Sequence, residues 1–139
     1  MLYIELTELC RRNHFTLDEA PSGKKSMDKS DLMISDFSGI IFEYSFVYQK
    51  PMIIADTEFE YKGFEGFFLD KPLWEEEIRH KIGRVIKSDE IFRLKDIVRE
   101  ELGKEPLRIA ELRDQTVANF GNAVPETAGR LRELWKEIP

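Results

Sequence analysis

The 139-residue sequence holds one cysteine, Cys10. One thiol forms no intrachain disulfide and no paired-cysteine metal knuckle, which fits a reducing compartment. Histidine is almost as scarce, with only His14 and His80. No Ser/His/Asp arrangement, HExxH, Walker A or GxGxxG occurs, so no catalytic motif and no bound cofactor is indicated. The acids of Glu75-Glu76-Glu77 open a helix, where they complement its dipole, and no metal site is expected. Positive charge is also short: 21 Lys and Arg face 27 Asp and Glu, a net charge of -6. A general nucleic-acid surface needs the opposite balance, so no nucleic-acid partner is expected. Lys24-Lys25 is a local basic spot able to anchor a phosphate. No apolar run approaches the roughly 18–20 residues of a membrane-spanning helix. Met1 to Thr7 carries Glu5 and no basic region ahead of an apolar block, unlike a signal peptide. A cytoplasmic location is expected. Internal repeats and low-complexity linkers are absent.

What is present is the composition of a globular chain, 42% hydrophobic and 35% charged, of a length suited to one domain. Leu2, Leu6, Leu9 and Cys10 predict a helix over Leu2–Arg12. Phe15–Leu17 reads as a short strand, and Ala20–Lys25 as a turn punctuated by Pro21 and Gly23. Asp31–Asp36 is a short apolar run bounded by acids, the mark of a buried strand. Phe37-Ser38-Gly39 is a tight turn. Ile40–Tyr48 is apolar almost all round, and its stop at Gln49-Lys50-Pro51 favours helix. Pro51–Asp56 is a second apolar run. Strand, turn, helix, strand predicts a βαβ unit with parallel strands. Asp56–Asp70 crowds Phe59, Tyr61, Phe64, Phe67 and Phe68 into an irregular loop. From Trp74 the chain reads as helical to its end. Trp74, Ile78, Ile82 and Val85 mark one face, Ile91, Leu94, Val98 and Leu102 the next. Leu107–Phe120 is a weaker helix. Leu131, Leu134, Trp135 and Ile138 form a stripe expected to pack onto the sheet. The expectation is an α/β fold in one domain, 1–139. A helix and short strand occupy 1–28, the βαβ core and aromatic loop 29–70, and a helical tail 71–139.

Ligands of open parallel sheets bind beyond the carboxyl ends of the strands. That rule selects Ser35–Ile40 and the residues from Asp56 onward. The turn Asp36-Phe37-Ser38-Gly39-Ile40 leads into a helix N-terminus, whose unpaired N–H groups and positive dipole end suit a phosphate. Gly39 puts no side chain in the way, and the Ser38 hydroxyl can donate to a phosphate oxygen. Ser38 is equally read as a simple N-cap. Glu43, four residues after Gly39, is a candidate for ribose hydroxyls or a solvent-facing carboxylate. Asp36 and Asp56 end strands and either cap helices or meet substrate hydroxyls. His80 lies in a charged helix and reads as solvated. His14 lies near the first turn, within reach of the mouth, yet reads as structural. The aromatic loop either covers the sheet edge or docks a second domain or a membrane surface.

Ser30-Asp31-Leu32-Met33-Ile34-Ser35-Asp36-Phe37-Ser38-Gly39-Ile40-Ile41-Phe42-Glu43-Tyr44, followed by Lys50-Pro51-Met52-Ile53-Ile54-Ala55-Asp56, resembles the C-terminal motif of CDP-glycerol glycerophosphotransferases, the teichoic-acid primases and polymerases. Their pattern is roughly S-D-x-L-I-T-D-Y-S-S-x-x-F-D-F, then K-P, a strand and an acid. Gly66-Phe67-Phe68-Leu69-Asp70 resembles a later G-F-Y-x-D segment, and Asn119–Ala123 a weaker glycine-containing one. The resemblance implies the carboxyl half of a B-type glycosyltransferase fold, a Rossmann-like domain that holds a CDP-activated polyol donor. It implies Asp36, Ser38, Gly39 and Ile40 at the diphosphate and Glu43 at the ribose, with the catalytic residues unassigned. Gly39 stands where the pattern has a second serine, and Glu65 where it has an arginine. The implied acceptor domain, with its catalytic histidine, is expected from a further domain or partner chain. The 139 residues alone are therefore expected to be inactive. The implied setting is cell-wall polymer synthesis at the inner membrane face, by peripheral association. Two alternatives stay open: a non-catalytic nucleotide-binding or interaction module, and a B-type transferase or epimerase relative using a UDP-sugar. A homodimer through the aromatic loop, or through the last helix, is a further expectation.

Overall fold

The computed structural model describes residues 2–36, 38–57, 74–105 and 109–138. The chain divides into two compact units, Met1–Asp31 and Leu32–Pro139. The first holds helices α1 (Leu2–Arg12) and α2 (Lys24–Lys29). Helix α1 lies where the Leu2, Leu6, Leu9 spacing predicts it. Phe15–Leu17 is irregular rather than a strand, and the expected turn gives way at Lys24 to α2. The linker between the helices is tied by side chains. The Tyr3 hydroxyl donates to Glu19 and the Ser26 hydroxyl to Asp18. The Ser26 bond, joined by the Ala20 N–H, holds the Asp18 carboxyl below its ordinary value.

The second unit is built on a three-stranded parallel sheet in the order β1-β2-β3, formed by Met33–Ser35, Met52–Ala55 and Arg84–Ile86. Ile34 pairs with Ile53, and Ile54 with Val85. Met52, Ile53 and Ile54 are buried in succession. A central strand covered on both faces reads as a continuous apolar run, which is what Pro51–Asp56 shows in the sequence. Ile53 and Ile86 point to one face, where Ile97 of helix α5 (Leu94–Leu102) completes a buried cluster flanked by Leu32, Leu94 and Val98. Met52 points to the other face, where the Ser45 hydroxyl lies 3.9 Å from its sulfur.

Ser45 belongs to the segment joining β1 to β2. Helix α3 (Ile40–Glu43) runs directly into a π-helical turn, Tyr44–Tyr48. Tyr44, Ser45 and Phe46 are all buried. The segment ends at Gln49, in the left-handed region at φ 53°, whose N–H donates to the Ser45 carbonyl. Pro51 follows, as the sequence predicts.

Beyond Trp74 the sequence expectation fails in two respects. Helix α4 (Trp74–Ile82) forms, with Ile78 and Ile82 buried, but β3 interrupts the helical tail at Arg84. Val85 continues the helical spacing of Trp74, Ile78 and Ile82, so periodicity alone hides the strand. Gly83 marks the change. A 3₁₀ turn (Ser88–Arg93) then leads into α5, followed by α6 (Ile109–Thr116) and α7 (Ala123–Glu137). No residue of α7 is buried, so its apolar stripe does not pack onto the sheet as expected. The aromatic loop and Phe37 lie outside the described residues.

Gly83 lets α4 and β2 approach closely. A Cβ there would stand 2.9 Å from the Met52 carbonyl oxygen and 3.2 Å from the Met52 Cβ. Backbone cannot yield as a side-chain tip can. Gly83→Ala is expected to lower the unfolding free energy by about 1–3 kcal/mol, read from urea denaturation against wild type.

Candidate functional site

Strands β1 and β2 leave the sheet side by side at their carboxyl ends, because Ser35 is level with Ile54. Asp36 follows β1 and Asp56 follows β2 on this one edge. The chain after Asp36 turns at once: the Ser38 N–H donates to the Asp36 carbonyl at 3.1 Å. Gly39 then stands as the N-cap of α3, and no side chain caps the helix. The Ile41 N–H donates to the Ser38 carbonyl and the Phe42 N–H to the Gly39 carbonyl. Among the described residues no carbonyl accepts from the N–H of Gly39 or Ile40, the expected state of a first helical turn.

Gly39 is exposed, and Ser38 and Ile40 are half-buried. A Cβ on Gly39 would meet nothing within 4 Å. Its φ of -56° suits any residue, so neither space nor backbone conformation demands glycine here. Asp36 is exposed, as is Glu43 on the last turn of α3.

Asp56 is committed elsewhere. Its carboxylate forms an ion pair at 2.8 Å with Arg79 of α4, whose side chain is only 13% exposed. The Asp56 N–H donates to the Ile86 carbonyl at 2.7 Å, which fixes the end of β2 against β3. The carboxylate therefore acts as the counter-ion of a largely buried guanidinium, rather than as a helix cap or a free acceptor for substrate hydroxyls. The sequence gives no sign of this pair, since Arg79 sits far along the chain in a run that reads as solvated. Helices α3 and α4 also meet beside this edge, where the Phe42 and Trp74 rings stack with centroids 5.3 Å apart.

Neither histidine belongs to this turn. His14 is exposed in the first unit. His80 lines a cavity of about 270 Å3 at the opposite, amino edge of the sheet, together with Lys50, Met52, Arg84, Glu101 and Lys104. Among the described residues no cluster of three or more His, Cys, Asp or Glu is placed to hold a metal.

The amino edge carries a charge network centred on Arg84. Arg84 opens β3 and pairs with Glu100 at 2.7 Å, Glu101 at 3.5 Å and Glu90 at 3.7 Å. Lys104 reaches Glu101 at 2.5 Å. The hydrogen bond from Arg84 holds the Glu100 carboxyl below its ordinary value, and Glu100 in turn raises that of Arg84. A depressed carboxyl contributes stability above its unfolded value, about 4.3, and loses it as pH falls through the lower folded value. The stability gap between wild type and Arg84→Gln is therefore expected to narrow as pH drops from about 6 to about 3, as denaturation at fixed pH steps would record.

The turn, the acid-ended strands and the apolar helix all fall within one family match. The family model for CDP-glycerol:poly(glycerophosphate) glycerophosphotransferase matches residues 10–89, more than half of the chain. No curated protein and no solved structure matches it. No helix among the described residues is long and apolar enough to cross a membrane. The chain belongs to the CDP-glycerol:poly(glycerophosphate) glycerophosphotransferase family.

Proposed function

We propose that Leu32–Pro139 is the donor-binding part of a B-type transferase, and that the Ser38–Gly39–Ile40 turn receives the diphosphate of a CDP-activated polyol. The observation that carries this reading is the turn itself. It lies at the carboxyl edge of a parallel sheet, opens a helix, and presents two N–H groups that no described carbonyl accepts. Backbone donors at a helix start bind phosphate without a specific side chain. The family match, which spans this turn, supports a CDP-activated polyol as the donor. Ser38 adds a hydroxyl donor, and Glu43 is proposed to reach the ribose from the last turn of α3. Asp36, exposed at the strand end, limits how closely an anion sits to β1 and helps orient it toward the helix.

In this reading the acceptor hydroxyl attacks the phosphorus that carries glycerol, the bond to the bridging oxygen breaks, and CMP leaves. The N–H groups of Gly39 and Ile40 hold the phosphate oxygens as charge shifts toward the leaving group. The acceptor wall and the base are proposed to come from a further domain or partner chain, which places chemistry in a cleft this unit closes on one side only. The product is proposed to be a teichoic-acid-type wall polymer, made at the inner face of the membrane.

Amide titration of the nitrogen-15-labelled chain tests the reading. CDP is expected to shift Ser38, Gly39 and Ile40 first, with UDP weaker. Shifts scattered over the chain would remove the turn from the proposal, and equal response to UDP would favour a UDP-sugar relative. Ser38→Ala is expected to weaken CDP binding roughly threefold to tenfold, the value of one hydrogen bond. Gly39→Ser, for which the space is open, is expected to tighten it by a similar factor while leaving stability within about 0.5 kcal/mol of wild type.

A further inference from the structure

The carboxyl edge of the sheet carries two acids, Asp36 after β1 and Asp56 after β2. Ser35 is level with Ile54, so both acids leave the sheet at nearly the same height. Neighbouring strands lie about 4.8 Å apart and rise about 3.3 Å per residue. Asp56 therefore starts within roughly 10 Å of the Ser38 turn, close enough for a full charge to act through about 0.1 M salt. A diphosphate arriving at the turn brings negative charge of its own, and two bare carboxylates oppose it. The cations Lys50, Arg84 and Lys104 stand at the amino edge, a strand's length away. Asp36 is exposed, and among the described residues no cation pairs with it. Asp56 differs. Its carboxylate meets the Arg79 guanidinium at 2.8 Å, with the two side chains 31% and 13% exposed. A pair withdrawn from water to this degree contributes little net stability, because lost hydration offsets the attraction. Folding alone therefore gives a weak reason for a charged pair at this place.

We propose that Arg79 is a positioning residue for the donor: by pairing with Asp56 it cancels one of the two negative charges at the carboxyl edge, so that a diphosphate is accepted there. Arg79 acts through Asp56 and does not itself touch the ligand. The inference rests on the donor-site reading and deepens it, because it names what sets the response of that site to ligand charge. Two further features hold the compensation in place. The Asp56 N–H donates to the Ile86 carbonyl at 2.7 Å, which fixes the backbone that carries the carboxylate. The stacked Phe42 and Trp74 rings, with centroids 5.3 Å apart, tie α4, and Arg79 with it, to α3 beside the turn. Arginine suits the task, since its guanidinium stays charged at any pH the fold survives. The charge left at the edge is that of Asp36, which works against the more highly charged ligand most. Compensation of Asp56 therefore matters more for a cytidine diphosphate than for a monophosphate.

Amide titrations of the whole nitrogen-15-labelled chain with CDP and with CMP decide the matter. Arg79→Gln exposes the site to the full charge of Asp56 and is expected to weaken CDP binding roughly threefold to tenfold. CMP is expected to lose less. Both losses are expected to shrink as salt rises from about 0.05 to about 0.5 M. Adding Asp56→Asn to Arg79→Gln removes the charge, and CDP affinity is expected to return to within about twofold of wild type. Arg79→Lys, which keeps the cation, is expected to stay near wild type. Spectra and urea midpoints of each variant report whether it is folded. Should Arg79→Gln alone unfold, the double variant, which buries no charge at this place, still carries the test. A double variant that binds as weakly as Arg79→Gln, or that is folded and has lost CDP, overturns the proposal, since Arg79 then meets the donor directly. An equal loss for CDP and CMP at every salt concentration overturns it in favour of a structural role, and so does no loss at all. Each of these results leaves the donor-site reading standing. A wild type in which CDP shifts no amide of Ser38–Ile40 removes that reading, and this inference with it.

Discussion

The parallel pairing of β2 with a neighbour on each side is the constraint on which the second unit rests. Three consecutive residues, Met52, Ile53 and Ile54, are removed from solvent at once. That is only possible when hydrogen-bonded strands stand on both edges and side chains cover both faces. Ile53 draws α5 onto one face through Ile97, and Met52 draws the π-helical turn onto the other. Pairing with β1 brings Asp36 and the Ser38 turn level with the end of β2. Pairing with β3 requires the chain to pass from α4 into a strand at Gly83 with its backbone against Met52. The position of every candidate ligand group follows from where this one strand starts and stops.

The two edges of the sheet are chemically unlike, and for a physical reason. The α3 segment begins at the carboxyl edge, while the π-helical turn, α4 and α5 end near the amino edge. Helix starts offer N–H groups and a positive end, and helix ends offer carbonyls and a negative one. The cations Lys50, Arg84 and Lys104 gather at the amino edge, where that polarity welcomes them. The charges of Arg84 and Lys104 are absorbed locally by Glu90, Glu100 and Glu101. The carboxyl edge keeps an open helix start at Gly39 and Ile40. A cavity thus lies at the amino edge, where Arg84, Lys104 and their glutamates are paired, and the helix start at Gly39 and Ile40 lies at the other.

Legibility in the sequence tracked how local the determining interaction is. Strands β1 and β2 are written as short apolar runs closed by Asp36 and Asp56, and the end of the intervening helix is written in Pro51. Each signal acts over one or two residues. β3 is not legible, because Arg84-Val85-Ile86 is three residues long and Val85 extends the spacing of Ile78 and Ile82. What makes it a strand is the free edge of β2, a partner distant in sequence. The π-helical turn is hidden for a related reason: a segment apolar all round has no phase to read. The Ser38–Gly39 turn could be located by its punctuation alone. The engagement of Asp56 by Arg79 could not, because an ion pair between a strand end and a later helix leaves no spacing to recognise. The stripe on α7 was legible as an amphipathic face, but periodicity shows only that a face is apolar, not what it meets.

The π-helical turn also bears on how chain length can vary in this protein. A π turn carries more residues per turn than an α turn and holds them less tightly. The connection between the Ser38 turn and Pro51 therefore contains slack of one residue, stored between Tyr44 and Tyr48. Losing a residue there lets the segment tighten to α pitch while β1 and β2 keep their register. Gaining one has no comparable outlet, because Tyr44, Ser45 and Phe46 are already buried, with Ser45 against Met52. The crossover is thus asymmetric toward length change, forgiving of a deletion and intolerant of an insertion, although both alter the chain by a single residue.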